Sequence, residues 1–133
     1  MFISKKINLK AVVSAVMGHK RNDRAMEMSE WKTRCIKAGD IHELLVSTEY
    51  TGNHNETLNS FVYLGFFDFK KGGVIEIGDQ VTTTSGALIA EIIGFDDTHL
   101  PNHINIVAKS KDNKTGEEFG LKPGQKVFIG AKR

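Results

Sequence analysis

Asn59-Ser60-Phe61-Val62-Tyr63-Leu64-Gly65-Phe66-Phe67-Asp68-Phe69 is the stretch that decides the fold class. Aromatic and branched residues fill it, as they fill strands. Read with period two, Phe61, Tyr63, Phe67 and Phe69 share one face, and Val62, Leu64 and Phe66 share the other. A strand apolar on both faces is central in a sheet, or has its outer face covered.

The neighbouring segments read the same way. Ile7, Leu9, Ala11, Val13, Ala15 and Met17 alternate with more polar positions, the mark of a half-buried strand that Gly18 ends. Ile41 to Tyr50, Val74 to Ile77, Val81 to Thr84, Leu88 to Phe95, Ile104 to Lys109 and Val127 to Ile129 are further strands, most of them short. His19 to Arg24 is a polar connection, and Ala25 to Cys35 reads as a strand or an irregular crossing. Lys111 to Gly120 is polar and expected to be flexible. Three turns echo one another: Ala38-Gly39-Asp40, Ile77-Gly78-Asp79 and Pro123-Gly124-Gln125. Glycine allows the positive φ such turns need, and Asp or Gln can bond back to the backbone. Short strands with Gly-rich turns predict an all-β domain over 1–133: a small closed or nearly closed barrel of antiparallel strands with little helix, the alternative being a β-sandwich.

Composition narrows the functional classes. The chain has 133 residues, 40% hydrophobic and 26% charged, which fits one globular domain able to bury a core. Its 18 basic and 16 acidic residues leave a net charge of +2. That balance argues against a nucleic-acid partner, whose binding needs a strongly basic stripe. No apolar run approaches the ~20 residues of a membrane helix, so no membrane partner is expected. The start breaks up any signal-peptide core, and with a single cysteine, Cys35, no intrachain disulfide is available; the expected location is cytoplasmic. Cys35 reads as a small buried hydrophobe.

Two likenesses add to this. From Gly73-Val-Ile-Glu-Ile-Gly78-Asp79-Gln-Val81 to Leu121-Lys-Pro-Gly124-Gln125-Lys-Val127-Phe, the chain resembles the second-domain barrel of translation factors, which use the same turn-to-strand entries. That likeness implies a barrel; with no phosphate-binding Gly-x-x-x-x-Gly-Lys-Ser/Thr in the chain, it implies nothing about GTP. With Gly94-Phe95-Asp96-x-Thr98-His99-x-Pro101-Asn102-His103 as its most distinctive segment, the whole chain also looks like a family of small prokaryotic proteins of unknown function.

That segment is the best candidate site. Asp96 to His103 holds two carboxylates, two imidazoles and an Asn between two apolar strands. His99 and His103 are four apart, as in zinc-binding pairs on a helix. Pro101 argues against a helix here, but a turn at Pro101-Asn102 can still bring the rings together. The connection before Ala25 offers Arg21 and Arg24, planar forks for a carboxylate or phosphate. It matters if it lies beside the histidines. His42 and Glu43 point to opposite faces of one strand and are not expected to act as a pair.

Three readings stay open. The first is a barrel binding a small polar or anionic ligand through Arg21, Arg24, Asp97, His99, Asn102 and His103. The second is a metal-dependent hydrolase, lyase or isomerase, with His99, His103, Asp96 and His42 around a divalent metal ion. The third is a non-catalytic interaction module, a homodimer joined through Val62, Leu64 and Phe66.

Overall fold

Seven strands close on themselves in the computed structural model, which describes residues 3–132. In chain order the strands are β1 (Leu9–Val16), β2 (Lys20–Arg21), β3 (Met26–Glu27), β4 (Thr33–Ile36), β5 (Ile41–Ser47), β6 (Thr57–Leu58) and β7 (Phe61–Lys71). They continue as β8 (Gly73–Glu76), β9 (Gln80–Thr83), β10 (Leu88–Asp96), β11 (Asn105–Lys109) and β12 (Lys126–Gly130), with one helical turn, α1 (Gly116–Phe119), before β12. The barrel runs β1-β12-β9-β10-β11-β5-β7 and returns to β1, with β2 added outside β7. Closure leaves no sheet edge between β1 and β7. All its pairings are antiparallel except β11 with β5, a parallel pair that departs from the expected topology. Among the described residues, no helix is long and apolar enough to cross a membrane.

The long aromatic strand is central, as its composition predicts, but its two faces exchange partway along. Val62 and Leu64 point into the barrel with Phe67 and Phe69. Phe61 and Tyr63 lie on the outer wall. The exchange occurs at Gly65, where φ is +148° and the pairing with β5 shifts register. A bulge of this kind inserts a residue and reverses which side chains face inward. Val62 and Leu64 are therefore core residues, and the homodimer face built on Val62, Leu64 and Phe66 does not exist as one surface. A second bulge at Ser14 explains why Ala15 is exposed although Leu9, Ala11 and Val13 are buried.

The outer wall carries its own core. Leu45, Phe61, Tyr63, Ile93 and Val107 are covered by Met26 and Leu58, which belong to the β3–β6 ribbon. The segment from Lys20 to Ile36 is thus an irregular crossing laid over the barrel, and it returns as β4 beside β8.

The three echoed turns share one geometry. Gly39, Gly78 and Gly124 have φ of +97°, +97° and +89°. In each, the side chain after the glycine accepts from the backbone N–H three residues earlier: Asp40 from Lys37 at 3.3 Å, Asp79 from Glu76 at 2.9 Å and Gln125 from Lys122 at 3.1 Å. The reverse backbone bonds close the same turns, as a glycine at the third turn position allows.

Lys111 to Gly120 is more ordered than its polarity suggests. Thr115 and Glu118 form a capping box, with Glu118 N–H donating to Thr115 Oγ1 and Thr115 N–H to Glu118 Oε1, both at 3.1 Å. Thr115 and Gly116 are buried, and the N–H of Glu117 donates to Met17 O. Thr115→Ala is expected to cost about 1 kcal/mol in a urea titration, the usual worth of such a cap. A change within error would mean that the turn contributes nothing to the fold.

Candidate functional site

Strand register builds the site. Asp96 pairs with Asn105, Asn105 with Glu43, and Glu43 with Phe66. One row of side chains therefore crosses β10, β11, β5 and β7 on the outer wall, next to the apolar patch that the crossing covers. Glu43 shares this face with Leu45, whereas His42 follows the other side, as the alternation along β5 requires.

The Arg24 end of the row is tied together by hydrogen bonds. Arg24 reaches Asp96 Oδ2 and Thr98 Oγ1, each at 2.9 Å. Asn105 Nδ2 donates to the same carboxylate oxygen at 2.9 Å, and the Thr98 hydroxyl donates to it at 2.8 Å. Asp96 and Asn105 are buried, and the Arg24 side chain is nearly so. The connection before Ala25 does lie beside the histidine loop, through Arg24. Arg21 does not join it: its guanidinium engages Asp23 at the surface, 2.7 Å away, and β2 holds it against Phe61.

Turns shape the loop. Leu100 N–H donates to Asp97 O, and Asn102 and His103 N–H both donate to His99 O. These bonds stack the His99 and His103 rings, with centroids 5.0 Å apart and planes 18° from parallel. His103 also meets Phe66 edge-on at 5.2 Å. Asn102 Oδ1 lies 2.7 Å from His103 Nδ1. With the Asn102 amide oriented so that Oδ1 faces the ring, Nδ1 carries the ring proton and Nε2 is the position left open. Nε2 is buried and has no partner among the described residues. Burial lowers the His103 pKa, the neighbouring His99 and His42 rings lower it further, and the polar approach of Asn105 and the charge of Asp96 act in the opposite sense. No hydrogen bond closes between Nε2 and Asn105, whose Oδ1 is likewise buried and unpartnered.

Glu43, which sequence reasoning weighed only with His42 and set aside, is buried in this row. It is 7% exposed. No side chain among the described residues pairs with its carboxyl by hydrogen bond or ion pair. Burial raises its pKa, with Arg24 opposing and Asp96 reinforcing. A carboxyl that holds its proton more tightly when folded makes stability fall as pH rises from the ordinary value of 4.5 through the raised one. Glu43→Gln is accordingly expected to gain on the wild type in melting temperature between pH 4 and pH 7. A constant difference across that range would show that Glu43 ionises as it does in the unfolded chain.

A cleft of about 230 Å³ adjoins this row, lined by Arg34, Cys35, Asp40, His42, Asn102 and His103 among others. That is room for several waters or one small molecule. Arg34 Nη1 lies 2.9 Å from Asp97 Oδ1, an ion pair without hydrogen-bond alignment. His42 Nδ1 accepts the Ile104 N–H at 3.0 Å, and Nε2 faces Asp40 at 3.3 Å. Burial lowers its pKa although Asp40 opposes the shift. His42 is thereby held neutral, as part of the joint between β5 and the loop. Cys35 is exposed on the cleft wall, contrary to its reading as a buried hydrophobe.

The metal set is not assembled. Asp96 is held by Arg24, His42 by a backbone N–H, and the two loop rings lie face to face. Among the described residues, no three His, Cys, Asp or Glu side chains are grouped as a metal ion requires.

No curated protein and no solved structure matches the chain, so the likeness to translation-factor barrels rests on its turns alone. A family model described as "Family of unknown function (DUF6917)" matches residues 3–130, and the chain belongs to that family.

Proposed function

We propose that the protein binds a small polar ligand in the cleft between β4, the start of β5 and the histidine loop. The observation that carries this reading is His103. Its ring lines the cleft, yet Nε2 is buried with no partner among the described residues. An orphaned buried nitrogen costs about 1–3 kcal/mol unless something else completes it. The ring is gripped by His99, Phe66 and Asn102, so it meets a ligand already oriented and little ordering entropy is lost on binding. Exposed Ile41 and Leu100 on the rim supply apolar contact, the usual complement to a few placed polar groups. The single cysteine is free, which supports a cytoplasmic setting.

The test is a thermal-shift panel of small amines, polyols and carboxylates against wild type and His103→Ala. A compound that raises the wild-type melting temperature and leaves the variant's unchanged supports the reading. Equal shifts in both proteins, or none in either, remove His103 from any binding role.

A further inference from the structure

A second cleft, of about 420 Å³, shares no lining residue with the one at His103. It lies on the outer face of β1, β12 and β9. Leu9, Val81, Val127 and Ile129 point into the barrel core, so Asn8, Gln80, Thr82, Phe128 and Gly130 take the outer side.

Register sets these residues in two rows. Gln80 pairs with Gly130, and Asn8 follows one position beyond the Leu9–Ile129 pair, so the first row reads Gln80, Gly130, Asn8. Thr82 pairs with Phe128 in the second. Gly130 leaves a gap between two amides. A Cβ built there would lie 1.9 Å from Asn8 Oδ1, so the Asn8 amide reaches into the space a side chain would fill. Phe128, two positions back on β12, is half-buried beside that gap. At ~4.8 Å between strands and ~6.8 Å per two residues, the patch measures about 10 Å by 7 Å.

The lining is uncharged. Among the described residues it holds no Asp, Glu, Lys, Arg or His, although 26% of the chain is charged. Lys10, the other register neighbour of Phe128, does not line it. The side chains of Asn8, Gln80, Thr82 and Thr84 make no hydrogen bond to another described residue. Each amide offers donors and an acceptor, and each hydroxyl offers both. A charged ligand gains no counter-charge here, and a wholly apolar one would strip water from these groups without replacing it. The chemistry that fits has many neutral hydroxyls and an apolar face to lie on the Phe128 ring.

We infer that this face binds a saccharide, with the C–H face of the sugar ring against Phe128 and its hydroxyls held by the Asn8 and Gln80 amides and the Thr82 hydroxyl. A sugar suits it better than an open-chain polyol. The closed ring presents a fixed C–H face, and it loses less conformational freedom on binding.

The experiment is an NMR titration of the full chain with methyl glucoside, methyl galactoside, N-acetylglucosamine or glycerol. It is read at the Asn8 and Gln80 side-chain amides and the Phe128 ring, with the His103 ring as control. At least one sugar is expected to shift the first three signals saturably and leave His103 unmoved. Glycerol, which has hydroxyls but no ring face, is expected to bind at least tenfold more weakly. Phe128→Ala is expected to weaken that sugar at least tenfold. Gln80→Ala, at a surface amide, is expected to weaken it at least threefold; melting curves verify folding of both variants. No saturable shift with any of the sugars would overturn the inference, as would glycerol binding as tightly as the sugar. Undiminished binding by both variants would do the same. A sugar that shifts His103 alone would move saccharide binding to the other cleft and overturn it here. Shifts that follow protein concentration without sugar would assign this face to a second copy of the chain and overturn it as well.

Discussion

Asp96→Ala is expected to lose about 3–5 kcal/mol of folding stability, the range for removing one partner of a buried ion pair. The loss exceeds that of an exposed pair, for which ~0.5 kcal/mol is ordinary. Asp96 is 1% exposed and gathers Arg24, Asn105 and Thr98 on one oxygen. Without it, a buried amide lacks an acceptor and a nearly buried guanidinium loses its counter-charge and keeps only Thr98 Oγ1. Urea denaturation of wild type and variant gives the difference. The exposed pair Arg21–Asp23 is the control: Asp23→Ala is expected to change stability by less than about 1 kcal/mol. Equal losses at the two sites would show that the outer-wall row contributes no more than surface charge.

Gly65→Val is expected to prevent stable folding, or to cost at least about 3 kcal/mol, from backbone strain and overpacking together. Gly65 has φ of +148°, where side chains are strained, and a Cβ there would lie 2.1 Å from the carbonyl oxygen of Ala15. That oxygen belongs to β1, across the seam that closes the barrel, so the backbone itself must move. Gly39→Ala provides the contrast. Its φ is +97°, but a Cβ there meets nothing within 4 Å, so only the conformational cost of about 1–2 kcal/mol applies. A soluble, native-like Gly65→Val with ordinary near-UV dichroism would mean that the bulge is not needed for closure.

The barrel was legible because its signals are local. Alternation marked the strands, and glycine with Asp or Gln marked the turns that begin β5, β9 and β12. The faces of β7 were not legible past Gly65, because a bulge reverses the alternation without altering composition. The site was legible in part. Arg24 meets the histidine loop through Asp96 rather than offering a free fork, and His99 reaches His103 through the turn expected at Pro101-Asn102. Glu43 was set aside beside His42 because its surroundings come from parallel pairing with Asn105, 62 positions away, and no local pattern reports strand register across that distance. The capping box at Thr115 and Glu118 was readable in principle, as a Thr three residues before a Glu, but the polarity around it hid the signal.

The central claim is that the loop and the β5–β11 register hold His103 as a neutral ring whose Nε2 seeks a donor. Nitrogen-15 NMR of the His103 imidazole, followed from pH 5 to pH 8 without added ligand, tests it most directly. The account predicts the Nδ1–H form with an unprotonated Nε2, persisting below the ordinary histidine value of 6.5. A ring that protonates at or above that value, or carries its neutral proton on Nε2, would contradict it.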